Sequence, residues 1–285
     1  MGESIQSKLK SIKNLPTLPV IAREVLKLVN DPLMSIDALK DVIARDPAIC
    51  ARILSISNSV FFGGMVRTTK LNDAIMRIGL KSVKDIAVGV SVLTLFADKN
   101  KTANYKRLFN HSMSVGLSAR TLARSLKMSI AEDVMMDGLL HDLGFLVINK
   151  FFPESYQNIQ DKIVSAGSLL DAEKDVLHHT HADVGFWLAE QWKLPDTILD
   201  VNLFHHTPSL AKRNEKYVAL VHIADYIASK HQFCPVERYP HYPLDPVSFE
   251  MLALSEKDMS YMEVTICNVF QQQRDNKQNS TQDRV

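Results

Sequence analysis

The chain is poor in cysteine. It has three cysteines among 285 residues, Cys50, Cys234 and Cys267, which lie far apart and form no Cys-x-x-Cys pair. An odd number of widely spaced cysteines argues against a disulfide framework and against a thiolate zinc site, and it is typical of a reducing compartment. We therefore expect a cytoplasmic protein whose cysteines are core residues.

Long apolar runs are also missing. The longest, at residues 86–96 and 139–148, are shorter than the roughly 18 apolar residues that a membrane-spanning helix needs. Residues 1–13 hold no apolar segment of the length found in signal peptides. We expect no membrane segment, and both apolar runs are typical of buried helices.

An excess of charge of either sign is absent as well. The chain has 33 basic and 32 acidic residues, which gives a formal net charge of +1. Nucleic-acid binding usually relies on a surplus of positive charge, so a nucleic-acid partner is disfavoured. The composition, 46% apolar and 23% charged residues, is that of a globular protein with ample material for a core.

Apolar residues recur at helical spacing along most of the chain, whereas the alternation typical of strands is absent. Five helices are predicted before residue 98; the third follows Asp46-Pro47, a predicted N-cap and first helical residue. The polar stretch 98–104 is the predicted junction. Beyond it we predict helices at 105–127, 130–152, 153–166, 168–192, 195–204, 215–230 and 247–270, with an irregular surface loop at 233–246.

The length favours two units, since a domain has roughly 150 residues. We predict an all-α protein in which a bundle of about five helices, residues 1–98, packs on a larger helical domain, residues 99–270. Residues 271–285 are polar and lack periodicity, and we expect them to form a disordered tail.

The adjacent pair His141-Asp142 stands inside an otherwise apolar run, residues 138–148. A buried carboxylate is tolerated when it is paired, hydrogen-bonded or bound to a metal. Neighbours on a regular helix point about 100° apart, so the pair needs partners from elsewhere in the chain. The candidates stand in apolar surroundings on separate segments: His111, His181, His205, His206 and Asp225.

A set of imidazole and carboxylate groups without cysteine suits a divalent ion such as iron, manganese, zinc or nickel. Seven such residues are enough for one or two ions. A single histidine in an apolar segment is more often a hydrogen-bonded core residue, so the prediction depends on convergence of the whole set. The remaining histidines are assigned to the surface or to structural roles: His178, His179, His222, His231 and His241.

The order of the seven residues resembles the HD superfamily of metal-dependent phosphohydrolases, and the His205-His206 doublet is similar to its HD-GYP branch. A closer resemblance, over about residues 12–230, is to the HDOD family of output domains in bacterial signalling proteins. It is carried by Leu15-Pro16-Thr17-Leu18-Pro19 and by residues 46–59, 74–79, 181–185 and 192–195 together with the doublet. This resemblance implies an HD-like helical fold, a role in signal transduction and no established catalysis.

HDOD proteins often lack ligands of the HD set, most typically the aspartate of the pair, but this chain retains Asp142. It also departs from active HD-GYP enzymes, which have a lysine for the substrate phosphate after the glycine that follows the pair. Here Gly144 is followed by Phe145, and residues 207–210 replace the acidic residue and Gly-Tyr-Pro run that those enzymes carry after the doublet. Metal-assisted phosphoester hydrolysis needs cations that neutralise the phosphoryl oxygens, besides the metal ligands. Other segments offer Arg120, Lys150 and Lys193 for that role.

Two hypotheses follow from these residues. In the first, the chain is a signalling output module that binds a partner protein or a small ligand such as a nucleotide, and its His/Asp pocket is not catalytic. In the second, it is a metal-dependent phosphohydrolase acting on a nucleotide or cyclic dinucleotide. Phe145 favours the first and the retained ligands favour the second, while the sequence leaves the oligomeric state open.

Overall fold

The computed structural model describes residues 9, 15–29, 35–59, 62, 66–97, 102–231, 234–236, 242–255 and 257–267. All regular structure in these ranges is helical, without a strand, which confirms the predicted all-α class. No helix within the described ranges is long and apolar enough to cross a membrane. The predicted tail lies outside the described residues, and the division into units at residue 98 remains a prediction.

In the described residues of the first part of the chain, five helices have defined bounds, as predicted: α1 (Val20–Val29), α2 (Ile36–Ala44), α3 (Pro47–Ser57), α4 (Leu71–Ile78) and α5 (Leu80–Leu95). Leu9 is also helical. Asp46 caps α3, because its carboxylate accepts hydrogen bonds from the backbone N–H groups of Ala48, at 2.8 Å, and Ile49, at 3.2 Å. Gly79 separates α4 from α5 with a φ of 84°, a left-handed value that favours glycine. Local signals thus set these boundaries.

The described residues of the second part contain nine further helices with defined bounds: α6 (Thr102–Ser125), α7 (Val134–Leu140), α8 (Leu143–Phe151), α9 (Pro153–Ala166), α10 (Leu169–Leu177), α11 (His181–Gln191), α12 (Asp196–Phe204), α13 (Glu215–Lys230) and α14 (Val247–Leu252). Residues 257–267 are also helical. Short 3₁₀ turns at Ser129–Glu132 and Pro208–Leu210 complete the described structure.

Three of the predicted helices are each divided in two, which corrects the sequence-based boundaries. The break in 168–192 falls at His178, with φ 59°, and the break in 247–270 falls at Ala253, with φ 52°. A left-handed residue ends a helix. The break in 130–152 falls at His141-Asp142, where Asp142 has φ −105° and ψ 30°. Apolar periodicity continues across all three breaks, so the pattern could not reveal them.

One hydrophobic cluster joins the two parts of the chain. It contains Ile53 of α3, Val90 of α5, Leu139 of α7 and Val184 of α11, each at most 1% exposed. A second cluster surrounds α13, which packs against α6 and α14.

None of the three cysteines is a buried core residue. All three are half-buried free thiols, which corrects the prediction that they are core residues.

Helices α8 and α11 meet at two glycines, Gly144 and Gly185. A Cβ atom on Gly144 would lie 1.8 Å from the carbonyl oxygen of His181 and 2.9 Å from the backbone nitrogen of Gly185. Backbone atoms cannot yield as a flexible side chain can, so this approach requires glycine. It brings the turn at His141-Asp142 close to the first residue of α11, His181.

A cleft of about 450 Å³ lies between α5 and the helices of the second part. Asp85 and Asp137 line it, at 3% and 2% exposure, and each has one carboxyl oxygen without a hydrogen-bond partner in the described part of the chain. Burial raises the pKa of Asp137 to about 7 and the pKa of Asp85 well above its usual value. Both groups therefore oppose folding when they are ionised.

We expect the substitution Gly144→Ala to lower the free energy of unfolding by about 3 kcal/mol, because the new methyl group overlaps the backbone of α11. The melting temperature should fall by roughly 10 °C. Gly89→Ala is the matched control, since a Cβ there meets only the side chain of Leu139, at 3.0 Å. Similar melting temperatures for the two variants would contradict this explanation.

We expect Asp137→Asn to remove a pH-dependent destabilisation. A carboxyl whose pKa is raised in the folded state stabilises the fold at low pH and loses that contribution as the pH rises towards 7. Over that interval the wild-type protein should lose up to about 1.4 kcal/mol per pH unit from this group, and the variant should not. Urea unfolding at pH 5 and pH 8 measures the difference, which should be larger at pH 8. Asp175→Asn, at an exposed carboxylate, is the control, and an advantage of Asp137→Asn that does not change with pH would contradict the prediction.

Candidate metal centre

The seven predicted ligands lie together in one pocket. They come from five places in the fold: His111 from α6, His141 and Asp142 from the turn between α7 and α8, His181 from the start of α11, His205 and His206 from the end of α12, and Asp225 from α13. Six of them are at most 4% exposed, and His206 is half-buried. Helix packing therefore brings together residues separated by more than a hundred positions.

Asp142 lies at the centre of this pocket. Its Oδ2 atom is 3.2 Å from Nε2 of His111 and 3.3 Å from Nε2 of His141. Its Oδ1 atom is 3.4 Å from Nε2 of His181 and 3.5 Å from Nε2 of His205. Each oxygen of the carboxylate thus faces one pair of imidazoles.

The other ligands extend the two pairs. On the Oδ2 side, Nε2 of His111 is 3.2 Å from both Nε2 of His141 and Oδ1 of Asp225. On the Oδ1 side, Nε2 of His181 is 3.3 Å from Nε2 of His205 and 3.1 Å from Nε2 of His206. Overlapping groups of three of these residues have ligand atoms within 4.8 Å of one another and could hold a metal ion.

Backbone carbonyls orient two of the imidazoles. Nδ1 of His141 donates to the carbonyl oxygen of Gly138 at 2.8 Å, and Nδ1 of His205 donates to that of Val201 at 3.0 Å. A carbonyl can only accept, so Nδ1 carries a proton, and Nε2 is the nitrogen that faces the pocket. This is the arrangement that a metal-binding histidine adopts.

Glu173, on α10, orients a third imidazole. Its carboxylate accepts from Nδ1 of His181 at 2.8 Å and from the backbone N–H of His181 at 3.0 Å, and it is fully buried. Burial lowers the pKa of His181, but the negative charges of Glu173 and Asp142 together outweigh burial. The pKa of His181 is therefore raised above its usual value. The sequence analysis missed Glu173 because it stands in a charged run, residues 171–175, which is typical of a solvated helix face.

The charge states in the pocket differ from residue to residue. Burial lowers the pKa of His111, but hydrogen bonds with Asp142 and Asp225 raise it to about 10, so a metal would have to displace its proton. Burial alone would raise the pKa of Asp142, but the charge of His141 and hydrogen bonds with the imidazoles hold it well below its usual range. Burial, together with the charges of His205 and His181, lowers the pKa of His206 well below its usual value. An ionised carboxylate and a neutral imidazole are the forms in which these residues bind metals.

The spacing of the donor atoms also fits an ion. Ligand atoms about 2.1 Å from one ion, at angles of about 90° to 110°, lie about 3.0 to 3.4 Å apart. Nε2 of His181 lies 3.3 Å from Nε2 of His205 and 3.1 Å from Nε2 of His206, and both distances fall in this range. Asp142 Oδ1 is buried without a hydrogen-bond partner among the described residues, which a cation would explain.

Phe145 follows Gly144, at the position where the resemblance to HD-GYP enzymes implies a phosphate-binding lysine. It is 1% exposed, and its ring stacks on the imidazole of His181 with centroids 4.1 Å apart and planes 13° apart. Three other cations considered for that role are placed elsewhere. Lys150 donates to the carbonyl of Leu95, Arg120 pairs with Glu132, and Lys193 lines the cleft beside α5.

Tyr242 closes one side of the pocket, although the sequence analysis assigned its segment to a surface loop. Its hydroxyl donates to Oδ2 of Asp225 at 2.6 Å, and its ring packs edge-on against His206 with centroids 4.8 Å apart. Neither a spacing nor a motif marked this residue. The described part of this loop that begins at Tyr242 therefore forms part of the wall of the pocket.

His222 has the structural role that the sequence analysis assigned to it. Its Nε2 accepts from the backbone N–H of Asp245 at 2.9 Å, so the proton is on Nδ1, which donates to the carbonyl of His205 at 2.7 Å. Both nitrogens are used and none faces the ligand set. His241 lies outside the described residues.

Comparison with known proteins identifies relatives of the chain. The family model of the HDOD domain matches residues 15–208. An uncharacterised curated protein of Treponema pallidum (strain Nichols) is 26% identical over an alignment of 222 residues. The match covers 74% of this chain and 40% of that protein. The chain thus spans less than half the length of this relative.

Solved structures share the fold. An HDOD domain protein of unknown function from Geobacter sulfurreducens has a TM-score of 0.80 at 24% identity, with 94% of each chain covered. A protein from Shewanella amazonensis, provisionally named a phosphohydrolase, has a TM-score of 0.72 at 20% identity, covering 93% of this chain and 94% of that one. A protein from Marinobacter aquaeolei, provisionally named a signal transduction protein, has a TM-score of 0.71 at 19% identity, covering 96% and 60%.

We expect the purified protein to bind a divalent transition metal and Glu173→Gln to weaken that binding by about 10- to 100-fold. The amide keeps the shape of the side chain but no longer stabilises the imidazole of His181 as a carboxylate does. Competition with a chelator, followed by mass spectrometry of the bound metal, measures the affinity. His178→Asn, at an exposed helix end, is the control and should bind as the wild type does. Equal affinities for Glu173→Gln and the wild type would contradict the proposed ligand set.

Proposed function

The chain belongs to the HDOD family, and from this membership and the geometry of the pocket we propose that it is a bacterial signalling output module with a non-catalytic metal centre. The observation that carries the proposal is a complete set of seven ligands in which a buried phenylalanine stands in the place of the phosphate-binding lysine. The pocket binds metal through His111, His141, Asp142, His181, His205, His206 and Asp225.

The donor atoms limit which ions the pocket can bind. Five imidazoles and two carboxylates suit iron, manganese, zinc or nickel, and two groups of ligands on either side of Asp142 accommodate one or two ions. A bound ion would supply Lewis acidity and lower the pKa of a coordinated water. The chain's own residues hold the ion, orient the imidazoles and exclude bulk water.

Burial argues against hydrolysis of a phosphoester in this pocket. Six ligands are at most 4% exposed, so a phosphate group has little access to them. Phe145 covers His181 with an apolar ring and offers no charge to the phosphoryl oxygens. The centre instead fastens five elements of the fold to one another, so that its occupancy sets their relative positions.

Signalling then depends on that arrangement. A partner protein, or a small ligand such as a nucleotide, recognises the packed helices in the metal-bound state and not in the metal-free state. An ion that binds only the folded state, at 100 times its dissociation constant, adds about 2.7 kcal/mol to the free energy of unfolding. That amount is large enough to change the population of a competing arrangement.

The alternative is a metal-dependent phosphohydrolase acting on a nucleotide or cyclic dinucleotide. The specific observation in its favour is that the ligand set is complete, with Asp142 at its centre and carbonyls or a carboxylate behind three of the imidazoles. Catalysis would then need a phosphate-binding cation that enters from outside the described pocket.

We expect the metal-loaded protein to hydrolyse neither bis-p-nitrophenyl phosphate nor cyclic dinucleotides faster than Asp142→Ala, which removes the central ligand. Mn²⁺, which suits imidazole and carboxylate ligands and not a thiolate, should raise the melting temperature of the wild type and leave that of Asp142→Ala unchanged. Release of p-nitrophenol, chromatography of the nucleotides and thermal unfolding measure these outcomes. Turnover by the wild type that disappears in Asp142→Ala would establish the alternative instead.

A further inference from the structure

A second group of metal-binding side chains lies away from the His/Asp pocket, where α13 meets the helical segment 257–267. His231 follows the last residue of α13, and Glu263 and Cys267 are on the 257–267 segment. These two are four residues apart and so share one face of the helix. The sequence analysis assigned His231 to the surface or to a structural role and Cys267 to the core, and neither assignment anticipated that the two meet.

The donor atoms of the three residues converge. Sγ of Cys267 lies 2.8 Å from Nε2 of His231, and Oε1 of Glu263 lies 3.1 Å from the same nitrogen. All three atoms lie within 4.8 Å of one another. The side chains of His231 and Glu263 are 33% and 22% exposed, so an ion could enter from solvent.

This geometry differs from that of a nucleophilic cysteine. In a Cys–His pair, the carboxylate orients the imidazole through the nitrogen that faces away from the sulfur. Here the sulfur and the carboxylate both face Nε2 of His231, and a single N–H can donate well to only one of them. Three donor atoms that lie within 4.8 Å of one another could instead share one metal ion.

We propose that Cys267, His231 and Glu263 form a zinc site that fastens the 257–267 segment to the end of α13. One sulfur, one nitrogen and one oxygen ligand with water in the fourth position suit tetrahedral Zn²⁺, and the thiolate selects zinc over harder ions such as Mn²⁺. On binding, the S–H bond of Cys267 breaks, its proton passes to solvent water, and the thiolate sulfur donates its electron pair to the ion.

Lys230 is a neighbouring cation that the proposed site has to accommodate. Its Nζ lies 2.7 Å from Oε1 of Glu263, and its side chain is 43% exposed. A long side chain at this exposure can turn into solvent, so the ion pair opens without burying a charge.

Titration of the full chain with Co²⁺, in the presence of a reductant without thiols, tests the site. A thiolate bound to Co²⁺ gives a sulfur-to-metal charge-transfer band in the near ultraviolet, which the sulfur-free His/Asp pocket cannot produce. We expect the intensity of the band to saturate at a value that corresponds to one thiolate-bound Co²⁺ per chain. The band should disappear when Zn²⁺ is added. Absence of the band from the wild-type protein would overturn the proposal.

Variants identify the ligands. Cys267→Ser should abolish the band, whereas Cys50→Ser and Cys234→Ser should keep it; the reverse result for any of these three would overturn the assignment. Glu263→Gln, which preserves side-chain shape, should lower the Co²⁺ affinity at least 10-fold, and unchanged affinity would also overturn it. Asp142→Ala should keep the band, because the site does not depend on the His/Asp pocket.

Discussion

The buried carboxylate of Asp142 needs compensating partners, and the surrounding helices supply them. It is 4% exposed and lies within 3.5 Å of the Nε2 atoms of four imidazoles. A charge in such a place is tolerated only with compensating partners, and these partners come from separate helices. Loss of any one helix from the packing would therefore leave a buried charge incompletely compensated, which couples the fold of the second part to the state of the pocket.

Two features of the backbone make that arrangement possible. At the interruption between α7 and α8, His141 keeps helical dihedral angles and Asp142 departs from them, and both side chains reach the pocket. The meeting of Gly144 with α11 then brings His181 to the same place at a distance that no larger residue allows. The same approach stacks Phe145 on His181. The contact of Gly144 with α11 therefore accounts both for the place of His181 beside the other imidazoles and for the apolar ring that covers it.

Much of the fold was predictable from local signals. The Asp46-Pro47 cap, the stop at Gly79 and the start at Pro153 each act through the backbone of a few neighbouring residues, and the corresponding helices begin and end where expected. The divisions of three long predicted helices were not predictable. His178 and Ala253 adopt left-handed conformations that neither side chain favours by itself, so packing against the rest of the molecule has to impose them.

The sequence by itself determined which residue types are available: the histidines and aspartates of the ligand set stand in apolar surroundings, where a charge or an imidazole needs a partner. Only the tertiary structure decided that these side chains meet. It also decided that Glu173 and Tyr242 support them, and that His231, Glu263 and Cys267 converge at a second place. The physical reason is that burial pattern and helical period report which face of a segment is covered, whereas contact between distant segments depends on how the helices pack, to within an ångström.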